Sequence, residues 1–306
     1  MTATRGIAPV LALALAAAGC GHEPPRQRVA LTEEPSLPSP AAVGGRDEVL
    51  RLGVASVLSP AASLRHYGEL AEYLGEKLGM AAQIVRRPNY AEMNELLRQR
   101  YCTLGFFCNY AFVRAQREFG AELLATPVVG GEVHYQAYVI AARDGSVRSF
   151  LDLAGRRFAF ADPMCTAGWL YPSYRSLELH SDARRFFDKE FFTYSYENSI
   201  RAVAEGAADG AGVEAPLYDS LLAEGNPAAL KTRIVDRSPP LGTPPVVVHP
   251  RLDPVLRAKL RDLLLTLHEN ERGREILGRI WVDRFVEPDP ELYAPIRKMA
   301  EAVERP

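Results

Sequence analysis

Residues 158–172 read Phe-Ala-Phe-Ala-Asp-Pro-Met-Cys-Thr-Ala-Gly-Trp-Leu-Tyr-Pro. Phe158–Ala161 is a short apolar run suited to a buried strand, and Asp162-Pro163 breaks it. Small residues follow, and apolar positions then recur at helical spacing through Leu177. A strand that runs through a small-residue turn into a helix start leaves backbone N–H groups unpaired and aimed outward. The helix dipole adds partial positive charge at the same point. Together they make an anion site. The same pattern also builds an ordinary strand-to-helix turn, and the segment alone fits both.

Other chemistries lack their patterns. The chain has no Gly-x-Ser-x-Gly, no His-Glu-x-x-His and no Gly-x-x-x-x-Gly-Lys. Gly210-Ala-Gly212-Val-Glu-Ala215 imitates a dinucleotide fingerprint, but its glycines precede or lie within a candidate strand instead of following it. The six histidines, at 22, 66, 134, 180, 249 and 268, are spread singly and read as surface or packing residues. We therefore expect no enzyme, no cofactor and no resident metal. The formal charge of −2 comes without a basic tract, which argues against nucleic acid.

The first residues set the compartment. Arg5 precedes an apolar stretch, Ile7–Ala18, too short to span a bilayer. Ala17-Ala18-Gly19-Cys20 follows as a lipobox-like cleavage site. Residues 1–19 thus read as a signal peptide and Cys20 as the lipidated membrane anchor of a protein in the periplasm or at the cell surface. Residues 20–47 hold Pro24, Pro25, Pro35, Pro38 and Pro40 with almost no aromatics, an extended tether. Besides Cys20 the chain carries Cys102, Cys108 and Cys165, so an oxidising compartment leaves at least one thiol free or intermolecular.

The positioning elements alternate. Val49–Ala55, Ala82–Arg86, Thr103–Cys108, Leu123–Val129, Tyr135–Ala142, Phe158–Ala161, Phe191–Tyr194, Ala211–Val213 and Val246–His249 read as strands. A helix through Tyr67, Leu70, Ala71, Leu74 and Leu78 ends at Gly79. Asn89 and Glu92 make a capping pair for the next helix. Further helices are expected at Tyr110–Phe119, from about Cys165, at Asn198–Glu205, and at 253–267, 270–280 and 290–304. Such alternation predicts an α/β fold of parallel sheets with helices on both faces, in two lobes.

Ordered motifs then resemble the periplasmic binding proteins for phosphonate, phosphite and phosphate that serve ABC importers. They are Ser59-Pro60, Tyr67, Asn89-Tyr90, Cys108-Asn109, Tyr135 in His-Tyr-Gln-Ala-Tyr, Leu151–Phe160, the 162–168 loop, Ser195–Ser199 and Asp209-Gly210-Ala211. The resemblance implies a type 2 periplasmic binding fold: two lobes with central, mostly parallel sheets, joined by two hinge crossings around a ligand cleft. Lobe 1 would hold 48–141 plus 248–306 and lobe 2 would hold 142–247, with crossings near Val139–Arg143 and Pro244–Pro250. It also implies a site in which Thr166 and the N–H groups of Cys165, Thr166, Ala167 and Gly168 hold the oxyanion. Tyr90, Tyr135 and Tyr196 would add hydroxyl donors, Glu214 would meet an amino group on the ligand, and Cys108, Asn109 and Ser59 would complete the set. The partners implied are a small oxyanion and an ABC permease.

Two departures bear on the ligand. Cys165 and Ala167 stand where the family's loop is rich in Ser and Thr, and a thiol or methyl replaces a strong donor. Each lost bond to a charged oxyanion costs about 1.5–3 kcal/mol unless replaced. Cys108 ends a strand that should face the same cleft. Cys102 is no partner for it, since six residues of strand span about 20 Å and bridged Cα atoms lie within about 7 Å. Three readings of Cys108 and Cys165 stay open: buried small hydrophobes, a disulfide gating the cleft, or a pair selecting a soft metalloid such as arsenite. The last resembles arsenite-sensing members of the superfamily, which depend on a cysteine and signal to a histidine kinase.

Overall fold

Apolar runs pair into two mixed sheets. The computed structural model describes residues 49–55, 60–179 and 186–305. The leader over 1–19, the tether over 20–47, Cys20 and Ser59 lie outside the described residues. The first block runs β1 (Val49–Ala55), α1 (Pro60–Leu78), β2 (Ala81–Arg87), α2 (Tyr90–Arg98), β3 (Leu104–Phe106), α3 (Asn109–Phe119) and β4 (Glu122–Val128). Then come β5 (His134–Tyr135), β6 (Ala137–Ala142), β7 (Arg157–Phe160), a π-helical turn over Thr166–Leu170, α4 (Tyr171–Leu179), β8 (Lys189–Phe192), α5 (Tyr196–Ala204) and β9 (Gly210–Glu214). α6 (Ala215–Ala223), α7 (Pro227–Leu230), β10 (Thr232–Arg237), β11 (Leu241–Gly242) and β12 (Val246–Val248) follow. The chain closes with α8 (Pro254–Leu265), α9 (Glu271–Arg279), β13 (Arg284–Val286) and α10 (Ala294–Glu304).

The first sheet has the order β13-β4-β12-β3-β1-β2 and the second β10-β6-β9-β7-β8, while β5 and β11 pair with each other. Strands β1 to β4 share one direction, and β12 and β13 oppose them. In the second sheet β6 alone runs against the rest. Four of six strands in the first sheet and four of five in the second share one direction, so both sheets are mixed. β6 and β12 oppose their neighbours because each enters directly from the other sheet, without the helical crossover that parallel pairing needs.

This topology also moves the expected crossings. Val139–Ala142 lie inside β6 of the second sheet, and Val246–Val248 form β12 of the first. The chain passes between sheets at 129–136 and 238–245, and the β5–β11 pair ties those two passages together. Each lies several residues before its expected place, because a strand looks equally apolar on either side of a hinge.

Local signals explain the elements nearest the seam. Asn89 is extended, and its Oδ1 accepts the Glu92 N–H at 2.9 Å while its Nδ2 donates to Glu92 Oε1 at 2.8 Å. The cap starts α2 so that Tyr90 faces inward. β3 is shorter than its apolar run, because Phe107 N–H turns to Pro245 O and Cys108 becomes the N-cap of α3. Leu50, Leu52, Leu104 and Val248 are buried between the first sheet and its helices. Phe158 and Phe187, with ring centroids 4.3 Å apart, anchor the core of the second lobe.

Candidate ligand-binding site

Two helix starts meet across the seam between the lobes. α3 begins just after β3 of the first lobe, and the π turn begins after β7 of the second. Tyr110 N–H donates to Thr166 Oγ1 at 2.9 Å, and Thr166 N–H donates to Cys108 Sγ at 3.1 Å. Cys108 Sγ in turn donates to Thr166 Oγ1 at 3.3 Å. Behind them, Cys165 Sγ accepts the Gly168 N–H at 3.2 Å and lies 2.8 Å from the Tyr196 hydroxyl. Trp169 stacks on Tyr110 with centroids 5.6 Å apart and planes 13° from parallel. Single-turn π segments of this kind recur at functional sites.

The turn fits there because of two glycines. A Cβ on Gly212 would lie 2.3 Å from Ala167 O, and one on Gly168 would lie 2.4 Å from Ala161 Cβ. The Gly210–Gly212 segment that imitates a nucleotide fingerprint is thus the floor on which the π turn rests.

A cavity of about 620 Å³ opens on the same seam. Tyr90, Cys108, Tyr135 and Glu214 line it, together with Tyr67, Phe106, Leu217 and Trp281. Among the described lining residues there is no Lys, Arg or His; the charged ones are Glu214 and Asp283. The O–H dipoles of the lining residues can hold an anion here. The Tyr135 hydroxyl is buried without a hydrogen-bond partner. A buried unanswered hydroxyl is costly, so the atom is poised for one.

Electrostatics follow from burial and from the two sulfurs. Burial, then the charge on Cys108, raises Glu214 to about 8. Burial also pushes the Cys108 thiol up, but hydrogen bonds shared with Cys165, with the Thr166 side chain and N–H, and with the Tyr110 N–H outweigh it and bring Cys108 down to about 7. Cys165 moves the other way, raised by burial and by its neighbour Cys108. Tyr90, Tyr135 and Tyr196 are all raised, chiefly by burial and then by the surrounding acids. Their hydroxyls keep their protons and can donate.

The expected residues divide into two groups. Tyr90, Cys108, Tyr135 and Glu214 face the cavity. Cys165, Thr166 and Tyr196 form the hydrogen-bonded layer at Cys108's back. The loop N–H groups expected to point into the gap are used within the protein: Cys165 N–H on Asp162 O, Thr166 N–H on Cys108 Sγ, Gly168 N–H on Cys165 Sγ. The sulfurs at 108 and 165 supply acceptors that the sequence pattern does not reveal. Ala167 packs against Gly212, and Asn109 turns its Nδ2 to Gly242 O. All three described cysteines are free thiols, so no Cys108–Cys165 disulfide is formed.

Sequence reasoning missed Asp162. Read only as a strand breaker, it is buried and accepts Tyr90 N–H at 3.2 Å and Met164 N–H at 2.7 Å, joining the lobes. Its place at a strand end, just before a proline that has no N–H, was the available signal. The aromatic wall of Phe106 and Trp281 was also missed, since Phe106 lies inside an apolar strand run and Trp281 far away beyond α9.

Two lobes, two paired passages and a cavity open on the seam between them are the architecture of a two-lobed solute-binding protein. Residues 52–293 match the family described as ABC transporter, phosphonate, periplasmic substrate-binding protein, and the chain belongs to that family. Its role is periplasmic solute binding, not catalysis. The chain is 22% identical over 271 residues to the Phosphonates-binding periplasmic protein of Escherichia coli K12, covering 87% of this chain and 80% of the relative. In fold it is similar to a binding protein component of an ABC phosphonate transporter from Pseudomonas aeruginosa (TM-score 0.77, 22% identity, 84% of this chain and 86% of the other). It is also similar to PhnD1 from Prochlorococcus marinus in complex with methylphosphonate (TM-score 0.75, 17% identity, 84% and 98%).

Proposed function

We propose that this chain is a lipid-anchored extracytoplasmic protein that captures a small oxyanion group of the phosphonate, phosphite or phosphate kind for an ABC importer. Cys20 is the anchor and 20–47 the tether. Lobe 1 consists of 49–128 with 246–305, and lobe 2 of 137–237. One observation carries the reading: the starts of α3 and of the π turn face each other across the seam, each answered by a group of the opposite lobe. When the lobes part, the Tyr110 and Thr166 N–H groups and the Thr166 hydroxyl are released together. An oxyanion entering between them takes the Thr166 N–H from the Cys108 sulfur and the Tyr110 N–H from Thr166 Oγ1, and the Tyr90 and Tyr135 hydroxyls complete its shell. Closure around the ligand is a hinge motion favoured by contacts that only the closed form offers.

Calorimetry with phosphate, phosphite, methylphosphonate and 2-aminoethylphosphonate tests it. Binding of at least one is expected, and silence from all four and from larger phosphonates as well overturns the reading. Membrane fractionation of Cys20→Ala tests the anchor: the variant should move to the soluble fraction.

A second reading has its own support, the two free thiols on either side of Thr166. Soft ligands prefer thiolate. A metalloid sensor of this design, reporting to a histidine kinase, would bind arsenite and lose it in both Cys108→Ser and Cys165→Ser. Unchanged arsenite affinity in the two variants removes it.

A further inference from the structure

The cavity is much larger than the group that its inner end would hold. A methylphosphonate has the bulk of about four waters, on the order of 100 Å³. The cavity measures about 620 Å³, within the range that encloses organic ligands. Apart from Glu214, Asp283, Ser220 and Thr243, one stretch of its wall is apolar, built from Val54, Phe106, Val129, Leu217, Trp281 and Val282. Two of these are set for contact. Phe106 packs against Tyr67 with centroids 4.9 Å apart. Trp281 has a left-handed backbone with φ 54° and remains 48% exposed, its ring held 4.6 Å from His66. Its positive φ is that of the residue that closes α9, where Trp281 N–H donates to Gly278 O and Val282 N–H to Leu277 O, and this turn sets the ring at the cavity wall.

We infer that the natural ligand is an organophosphonate with a bulky apolar or aromatic substituent, its oxyanion at the Tyr110 and Thr166 N–H groups and its body in the slot between Phe106, Leu217 and Trp281. This rests on the oxyanion reading above and names the class of ligand for that site. Titration of the full chain with methylphosphonate, hexylphosphonate and benzylphosphonate tests it. The two larger ligands should bind at least about tenfold tighter than methylphosphonate, equal to about 1.4 kcal/mol. Leu217→Trp, which fills the slot, and Trp281→Ala, which opens it, should each bring that ratio toward one, with thermal melts showing that the variants are folded. Methylphosphonate binding as tightly as the larger pair overturns the inference and leaves the oxyanion reading standing. A ratio that survives in both folded variants also overturns it. If no phosphonate of any size binds, the oxyanion reading falls and takes the inference with it.

Discussion

Cys108 caps α3 and accepts a hydrogen bond from the first residue of the π turn, so its sulfur lies where two positive helix ends converge. Its pKa of about 7 stands below the ordinary thiol value of 9.0, so the folded state favours thiolate. The stability this contributes is complete above pH 9 and lost as pH falls through about 7. Ultraviolet titration should show one thiolate forming near neutrality, absent in Cys108→Ser, with Cys102 still protonated because burial pushes it up to about 12. Glu214 has the opposite sense. Its carboxyl rises from 4.5 to about 8, so its contribution is complete below pH 4.5 and lost as pH climbs through 8. Melting curves from pH 5 to 8 should therefore show the wild type losing several degrees relative to Glu214→Gln; parallel curves would contradict the assignment. Resemblance made Glu214, Tyr90 and Tyr135 legible in the sequence. The bond between Thr166 and Cys108 was not, since it joins positions 58 residues apart.

The elements were read mainly from periodicity and caps. β1 spans the residues expected of it, and Asn89 caps α2 through Glu92 as the spacing predicts. Asn89→Ala should cost about 1 kcal/mol in urea unfolding. Strand direction was not legible, because β6 and β12 acquire their antiparallel neighbours only when the chain crosses between lobes. Nor was the role of Gly212, whose missing side chain matters through Ala167, distant in sequence and adjacent in space. Gly212→Ala sets a methyl against that carbonyl and should lose about 1–3 kcal/mol in the same assay, as overpacking does. Because the displaced backbone belongs to the π turn, ligand affinity should fall with it.

At the scale of the whole molecule, the two-lobed plan followed from the alternation and the ordered motifs, whereas the hinge positions needed the sheets themselves. Trp169 lies in one lobe and stacks on Tyr110 of the other, so its emission should change when a ligand alters the opening. Trp169→Phe should reduce that signal to what Trp281 in the cavity wall contributes and keep the calorimetric heat. α10 contacts α3 in one lobe and both α4 and the π turn in the other, while its Glu304 pairs with Arg117 and takes the Tyr110 hydroxyl bond at 2.6 Å. Opening must peel this helix from one of its two beds. Every 1.4 kcal/mol by which these contacts favour the closed arrangement shifts the open-to-closed ratio tenfold toward it.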